Sequence, residues 1–569
     1  MGRRVCRMPV APFVLALTLT GCSSDKTPPG GGGAGTTSSA AGSVGTAGAP
    51  GNPAGGSGNG TAGSGNSAGT GSPAGGTGSG SGGATTSGGA GASTGGSSTG
   101  GTTGSAGSGG TPSTGGITVQ LAATHQTIQG FGINTALMPS GKTFPVDKLF
   151  TTTATDSIGL SILRIGMNTD GSLTGQFISE SKAKNPDLKV IGSCWSAPAA
   201  CKSNNNVKQG GYLLQDKGTC MNDWATAIAN FAKDQKLYAM SIANESDFAS
   251  CASKGPPCTD DYETMTYTAK QMVSWVKVAG AKIRQIAPNT KVIAPEASEW
   301  IHAWSNASGT GSTVTSHPHS SDPLNCGCYS TTLDATGCAQ ACIDGGGYDY
   351  GHWLWKDQDA WKAFDIFGVH EYDSQKAFAW PADVNGGKRD KEIWQTEMSG
   401  VKYWPEEGPS TDINNGLVVA GWIHSALTVG EASAWLWWWY ESYFQNDNEG
   451  LAIVQGTSTI ARRYFVLGNY SKFIRPGYTA VEVTGNSNAD VLLSGFKGPD
   501  GTVVVVAVNK GASQVTLPIA IAGGTAPAMM TPNVTSATDN IKPGTAVPVS
   551  GGSFMAALAS KTVTTFVGK

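Results

Sequence analysis

Between residues 125 and about 440 the chain alternates short β-like runs with amphipathic stretches, eight times over. The runs fall at residues 127–132, 161–167, 189–194, 237–243, 291–295, 364–370, 392–397 and 432–438. Residues 224–236 lie between two of them and place Trp224, Ile228 and Phe231 at helical spacing. Residues 262–286 and 416–429 read as further helices. Regular β/α alternation requires a parallel sheet with its helices outside. Eight such units fit a closed (β/α)8 barrel, an α/β TIM-barrel fold, better than an open doubly wound sheet. No GxGxxG run follows any of these strands, so a dinucleotide site is not indicated.

Beyond about residue 470 the pattern changes. Short runs at 481–483, 491–496, 502–509, 514–518 and 563–567 are separated by turn signals such as Pro499-Asp500-Gly501. They predict an antiparallel β side domain over 471–569, beside a barrel over 117–470. The run 117–121 ahead of the barrel is placed to add a strand to that side domain.

The first quarter of the chain has a different character. Arg3, Arg4 and Arg7 precede a short apolar run at residues 10–20. That is the layout of an export signal, and the run has about half the length needed to span a bilayer. It ends in Leu19-Thr20-Gly21-Cys22, which resembles a bacterial lipobox. The resemblance implies cleavage before Cys22, lipid attachment to its thiol, and a leader and anchor over 1–26. Residues 27–116 are almost wholly Gly, Ser, Thr, Ala and Pro, with nothing to bury. They predict a disordered tether spanning roughly 50 Å on average. Together these features place the protein outside the cytoplasm, as a cell-surface or outer-membrane lipoprotein or a secreted protein.

A net charge of −3 over 569 residues gives no reason to expect nucleic acid or an anionic membrane surface as a partner. The expected contact with a membrane is the lipid alone, and the expected state is a monomer. Sixteen Trp and fourteen Tyr supply rings on which sugars can stack. Besides Cys6 and Cys22 there are nine cysteines: Cys194, Cys201, Cys220, Cys251, Cys258, Cys326, Cys328, Cys338 and Cys342. Export permits disulfides. Cys251 and Cys258 can close one loop, and the last four can staple the insertion between the fifth and sixth strands. The pairing stays open, and an odd number leaves one thiol over. His317 and His319 near Cys326 match no standard zinc spacing, and neither a metal nor a cofactor is expected. Residues 201–219, rich in Asn, Gly and Lys, read as a mobile loop on the rim.

Two of the β-like runs end in a glutamate, at Asn244-Glu245 and at Thr396-Glu397. Two carboxylates on one concave face are what a retaining glycosidase needs: one protonates the leaving oxygen and the other attacks the anomeric carbon. Arg164 can keep Glu397 ionised. Asn244 can donate to a sugar 2-hydroxyl, and Tyr372 can fix the Glu397 rotamer. Glu371 lies between His370 and Tyr372, so alternation turns it away from the pocket.

The set Thr127-Ile128-Gln129-Gly130-Phe131-Gly132, Leu163-Arg164-Ile165-Gly166, Trp195-Ser196-Ala197-Pro198, Asn244-Glu245, His370-Glu371-Tyr372, Thr396-Glu397 and Trp435-Leu436-Trp437-Trp438 resembles glycoside hydrolase family 30, above all its bacterial xylanase-like members. Residues 530–537 and 563–567 extend the resemblance through the side domain, so that it covers about 117–569. It implies a retaining mechanism with Glu245 as acid/base and Glu397 as nucleophile. Trp195, Tyr372 and Trp437 would line the sugar cleft with Asn244, and Arg164 and His370 would support them. Two departures stand out. Ser246 follows Glu245 where many relatives carry proline. Glu441-Ser442 stands where the glucuronoxylan-specific branch carries an arginine pair, and Arg462 and Arg463 lie too far along to replace it. The expectation is a retaining endo-β-glycanase acting on a polysaccharide, with β-1,4-xylan first. The alternatives are a β-1,6-galactanase or β-1,6-glucanase of the same family, or a carbohydrate-binding surface protein without catalysis.

Overall fold

A computed structural model describes residues 116–208, 210–248, 263–304, 347–372, 377–400, 410–445, 448–455 and 459–569. The leader with Cys22 and the tether up to residue 115 lie outside the described residues. So do Cys251, Cys258, Cys326, Cys328, Cys338, Cys342, His317 and His319.

The chain enters through β1 (Ile117–Thr127), a strand of the side domain. The barrel follows. Its strands are β2 (Gly130–Asn134), β3 (Ile162–Met167), β5 (Lys189–Cys194), β6 (Ala239–Ser241), β7 (Lys291–Ala297), β8 (Ile366–His370), β9 (Glu392–Glu397) and β10 (Ala432–Trp437). Each pairs in parallel with the next, and β10 pairs with β2 to close the ring. A short β4 (Leu173–Thr174) folds back antiparallel on the end of β3. All eight expected strands are present, with ends shifted by a few residues.

Strand alternation sorts the residues into two layers. Ile162, Ile191, Ala239, Ile293, Ile366, Trp394, Ala434 and Leu436 fill the barrel interior. Their neighbours in sequence, such as Leu163, Val190, Phe367, Trp435 and Trp437, join the outer core against the helices. Helix Cys220–Asp234 turns Trp224, Ile228 and Phe231 inward. Helix Ala269–Ile286 starts at a capping box in which Thr268 and Gln271 satisfy each other's backbone N–H groups. It begins several residues later than the composition suggested. At the strand N-termini the barrel is closed by polar groups: Lys189 Nζ donates to Gln129 Oε1 at 2.7 Å, and Lys291 pairs with Glu392 at 3.3 Å. This leaves the opposite face for chemistry.

After β11 (Trp439–Gln445) and β12 (Gly450–Gln455), helix Arg462–Ser471 leads into the side domain. There β13 (Thr479–Thr484), β14 (Val491–Lys497) and β15 (Val503–Asn509) form a meander. The chain then runs through β16 (Val515–Ala522), β17 (Met529–Thr535), the two-residue strands β18 (Lys542–Pro543) and β19 (Val547–Pro548), β20 (Ser553–Leu558) and β21 (Thr562–Gly568), and β21 pairs with β15. β1 lies between β13, antiparallel, and β16, parallel. Val119, Val481, Leu493, Val505, Ile519, Phe554 and Phe566 make the sandwich core. The two domains pack through helix Arg462–Ser471: Asn469 Nδ2 donates to the Asn533 carbonyl at 2.9 Å and to Thr565 Oγ1 at 3.1 Å.

Residues 201–219 are less free than their composition implied. Cys201 and Cys220 form a disulfide that closes this loop at its base. Lys202 is buried inside it, and its Nζ donates to the carbonyls of Thr264 (2.6 Å) and Val207 (3.1 Å). Of the described cysteines, Cys194 keeps a free, buried thiol.

Candidate active site

The site is built around one guanidinium. Arg164 projects from β3 and is fully buried. Its Nη1 donates to Glu397 Oε2 at 2.6 Å, and its Nη2 donates to Asn244 Oδ1 at 2.5 Å. The same Nη2 lies 3.4 Å from Glu296 Oε2. The planar fork of arginine lets one side chain hold several acceptors at once, which a lysine cannot do. Its flat face lies 5.0 Å from the Trp195 ring and 5.9 Å from that of Trp438.

Glu397 is the last residue of β9, and Tyr372 Oη donates to its Oε1 at 3.1 Å. The same hydroxyl lies 3.3 Å from Ser399 Oγ. Both oxygens of Glu397 are thus held, one by a cation and one by a phenol. Glu245 arrives differently, in a turn four residues past the end of β6. Its φ of 46° is left-handed, a conformation uncommon outside glycine. The surroundings fix it: Phe248 N donates to the Glu245 carbonyl at 2.8 Å, and Trp275 Nε1 donates to the Ile242 carbonyl at 3.0 Å. Asp247 is fully buried and accepts from Ser298 N at 2.6 Å and from His302 Nδ1 at 2.5 Å. Backbone held in such a region at a cleft is a recurrent mark of a functional position.

The decisive distance joins the two halves. Glu245, His370 and Glu397 each present one atom such that all three atoms lie within 4.8 Å of one another. His370 Nδ1 is 3.3 Å from Glu245 Oε1. Retaining glycosidases hold their two carboxyl groups about 5–5.5 Å apart, and inverting ones about 6.5–9.5 Å. An approach of two of their oxygens to within 4.8 Å is compatible with the shorter separation. The same trio is also where a cation could be ligated. Glu397, however, already has the Arg164 charge against it, and a fixed guanidinium repels a second cation at that position. The donor set therefore fits a carboxylate pair better than a metal centre.

The charges tune one another. Burial pushes the Glu397 carboxyl up, and Glu245 adds to this, against the pull of His370 and Arg164. Burial pushes His370 down, against the pull of the nearby Glu397 and Glu296. For Glu296, burial acts upward but Arg164, His370 and Ser193 outweigh it, and the carboxyl is held low. Arg164 is depressed by burial and raised more strongly by Glu296 and Glu397.

Of the residues expected in the cleft, Arg164, Trp195, Asn244, Glu245, His370, Tyr372 and Glu397 come together at the strand C-termini. Trp437 does not. It is fully buried among the outer helices, and its Nε1 donates to the Glu449 carbonyl at 2.7 Å. The reason is alternation: Ala434 and Leu436 face the barrel interior, so Trp435 and Trp437 face outward. Trp438, one residue on, returns to the site side. Its ring lies 6.1 Å from that of Trp195. Glu371 is turned outward, where its Oε2 accepts from Trp435 Nε1 at 2.9 Å.

Sequence reading passed over Glu296. It lies one residue beyond the expected end of its strand, in Ala294-Pro295-Glu296, and is fully buried with a φ of 54°. Ser193 Oγ donates to it at 2.6 Å. A strand-end acid preceded by Ile293 and Ala294 was the available signal, because it repeats the pattern of the other two glutamates.

The side domain matches the family described as glycosyl hydrolase family 30 beta sandwich domain, over residues 479–566. Over 471 residues the chain is 27% identical to the glucuronoxylanase XynC of Bacillus subtilis (strain 168), covering 79% of this chain and 91% of that one. A solved structure of Xyn30A from Clostridium acetobutylicum, a glycoside hydrolase family 30 subfamily 8 xylanase, is 26% identical with a TM-score of 0.57, over 80% of this chain and 99% of that one. The GH30 endoxylanase from Clostridium papyrosolvens C71 shares the fold at 24% identity, with a TM-score of 0.56 over 80% and 100% of the two chains.

Proposed function

We propose that this chain is a retaining endo-β-glycanase that cleaves the β-1,4-linked backbone of xylan. The observation that carries this reading is the approach of Glu245 and Glu397 to within 4.8 Å. Glu245 protonates the glycosidic oxygen while Glu397 attacks the anomeric carbon, releasing the aglycone and leaving a glycosyl ester on Glu397. Glu245, now a carboxylate, takes a proton from water. That water attacks the same carbon, and Glu397 leaves as a carboxylate. Arg164 stabilises Glu397 as it re-ionises. With its Oδ1 committed to Arg164, the Asn244 amide points its N–H2 away from the guanidinium, as a donor to the sugar 2-hydroxyl. Trp195 and Trp438 present adjoining rings to the sugar.

Glu441 bears on the substrate. Its carboxylate accepts from Thr143 N at 2.7 Å and pairs with Lys142 at 3.3 Å. The position where the resemblance leads to an arginine pair thus offers no guanidinium to a uronic acid, which favours unsubstituted or neutral backbone. We therefore separate this chain from the substrate in the name of the Bacillus relative. Export and anchoring through Cys22 complete the proposal and place the catalytic domain on a tether outside the cell.

The test is hydrolysis of xylan, glucuronoxylan, β-1,6-galactan and β-1,6-glucan, with the anomer of the first product followed by proton NMR. Retention on unsubstituted xylan is the expected result. First-formed α-anomer, or cleavage that depends on uronic acid branches, would overturn it. Glu245→Gln is expected to lose about 10²–10⁴-fold in rate while keeping polysaccharide binding.

A further inference from the structure

A second pocket of about 210 Å3 opens away from the carboxylate cluster, where helix Ile413–Thr428 meets β1, β13 and β14. None of the residues around Arg164 lines it. The backbone is irregular at this place. Thr124 pairs with Val481 and Thr127 with Thr479, so β1 carries one extra residue across His125-Gln126. Bulges of this kind re-aim side chains.

Three polar atoms at the pocket are buried without a protein partner: Gln126 Oε1, His424 Nδ1 and Ser494 Oγ. Gln126 and Ser494 are only 3% and 2% exposed. The Gln126 amide is not free to turn. Its Nε2 donates to the carbonyls of Leu427 (2.7 Å) and Ala432 (3.1 Å), so Oε1 faces the other way as a bare acceptor. A buried acceptor with no donor costs stability, and a site that keeps three such atoms together calls for an explanation. Leu427, Val481 and Phe496 supply apolar wall. At the mouth, His125 is held between Glu431 and Glu482 at 2.8 Å on each side. The two carboxylates discourage an anionic occupant.

We propose that this pocket is a second carbohydrate site, separate from the cleft, that takes one neutral pyranose unit. A sugar ring offers O–H donors to Gln126 Oε1 and Glu482, hydroxyls that can donate or accept at Ser494 and His424, and a C–H face to Phe496 and Leu427. The volume lies below the roughly 300–1,000 Å3 of pockets for drug-sized ligands, so the occupant is a single ring, such as a chain end or a side unit. The site lies partly on the side domain and gives that domain a share in holding polysaccharide.

The experiment titrates the full chain carrying Glu245→Gln with xylose, glucose, galactose and glucuronate by calorimetry. It is repeated with Ser494→Leu, which fills the pocket, and with His424→Phe. The expected result is a component for at least one neutral sugar that weakens roughly tenfold or disappears in both pocket variants, with glucuronate the weakest ligand. In the wild-type background, turnover of a short soluble substrate stays unchanged in both, because neither residue touches the cleft. Equal binding stoichiometry and affinity with and without the pocket changes would overturn the proposal. So would a crystal soaked in the best-binding sugar that holds only water there. If Ser494→Leu fails to fold, His424→Phe and the soaked crystal decide. Absence of xylan hydrolysis by the wild-type chain, with pocket binding intact, would count against the catalytic reading alone.

Discussion

Arg164 and Glu296 form a fully buried pair at 3.4 Å beneath the two cleft glutamates, and neither side chain has any solvent exposure. The arginine is thereby fixed from behind through Nη2, which also donates to Asn244, while Nη1 holds Glu397. Arg164→Lys keeps the charge but loses the fork, so it is expected to lower kcat by about 100-fold or more. Removing the charge with Arg164→Met leaves Glu296 buried and unpaired, at a cost of about 3–5 kcal/mol. Steady-state kinetics on the first variant and denaturant unfolding on the second check these outcomes. Wild-type kcat in Arg164→Lys would remove the guanidinium from the mechanism.

Burial pushes the Glu397 carboxyl up, against the pull of His370 and Arg164. A nucleophile must be ionised, so activity should fall as pH drops through a value higher than the usual ~4.3 for glutamate. Tyr372→Phe removes the donor to Oε1 and should move that acid limb further up. The pH profile of kcat/KM for both proteins is the measurement, and an acid limb at or below the ordinary value would contradict it.

Glu371 is buried against Trp435, and its carboxyl is pushed up to about 8. A carboxyl raised in the folded state binds its proton more tightly there than in the unfolded chain. Stability should therefore decline as pH rises from the unfolded value, about 4.3, toward 8. Glu371→Gln should remove this slope and leave the protein more stable at pH 8–9, by on the order of 2–4 kcal/mol. Parallel slopes for the two proteins across that window would rule the effect out.

Trp437 and Trp438 are neighbours with opposite duties. Trp438→Ala should raise KM for oligosaccharides with a modest change in melting temperature. Trp437→Phe should lower stability, since it removes a buried donor to the Glu449 carbonyl and part of a fully buried ring, yet leave KM within about twofold. The reverse result would restore Trp437 to the cleft.

Gly166 lies beneath Trp195. A β-carbon there would come within 2.9 Å of the Trp195 ring, 2.6 Å of Thr174 and 2.9 Å of Ala136. Gly166→Ala is expected to displace the ring, raise KM, and cost about 1–3 kcal/mol through overpacking. Unchanged binding with unchanged stability would show that the ring has room to move.

The barrel was legible because each of its strands is a short apolar run set off by amphipathic helices, a signal that tertiary context does not override. Glu245 and Glu397 were legible for a related reason, since an acid closing an apolar run has few structural excuses. What escaped depended on one-residue offsets. Trp437 and Trp438 cannot be told apart by composition, and only the inward register of Ala434 and Leu436 assigns them. Glu296 was lost because a proline in the run read as its end. β17 and β20 went unread: one contains Pro532, and the other is Ser-Phe-Met-Ala-Ala-Leu, which favours no single period. The disulfide between Cys201 and Cys220 was one of many pairings open in the sequence.

The count of charges within the cleft has its own consequence. Among the described residues, three acids, Glu245, Glu296 and Glu397, share this space with the one guanidinium of Arg164. Electroneutrality is closer when one of those acids stays protonated. On the proposed mechanism, a proton kept on Glu245 in the resting chamber is the one that the departing sugar takes, with none to be fetched from solvent.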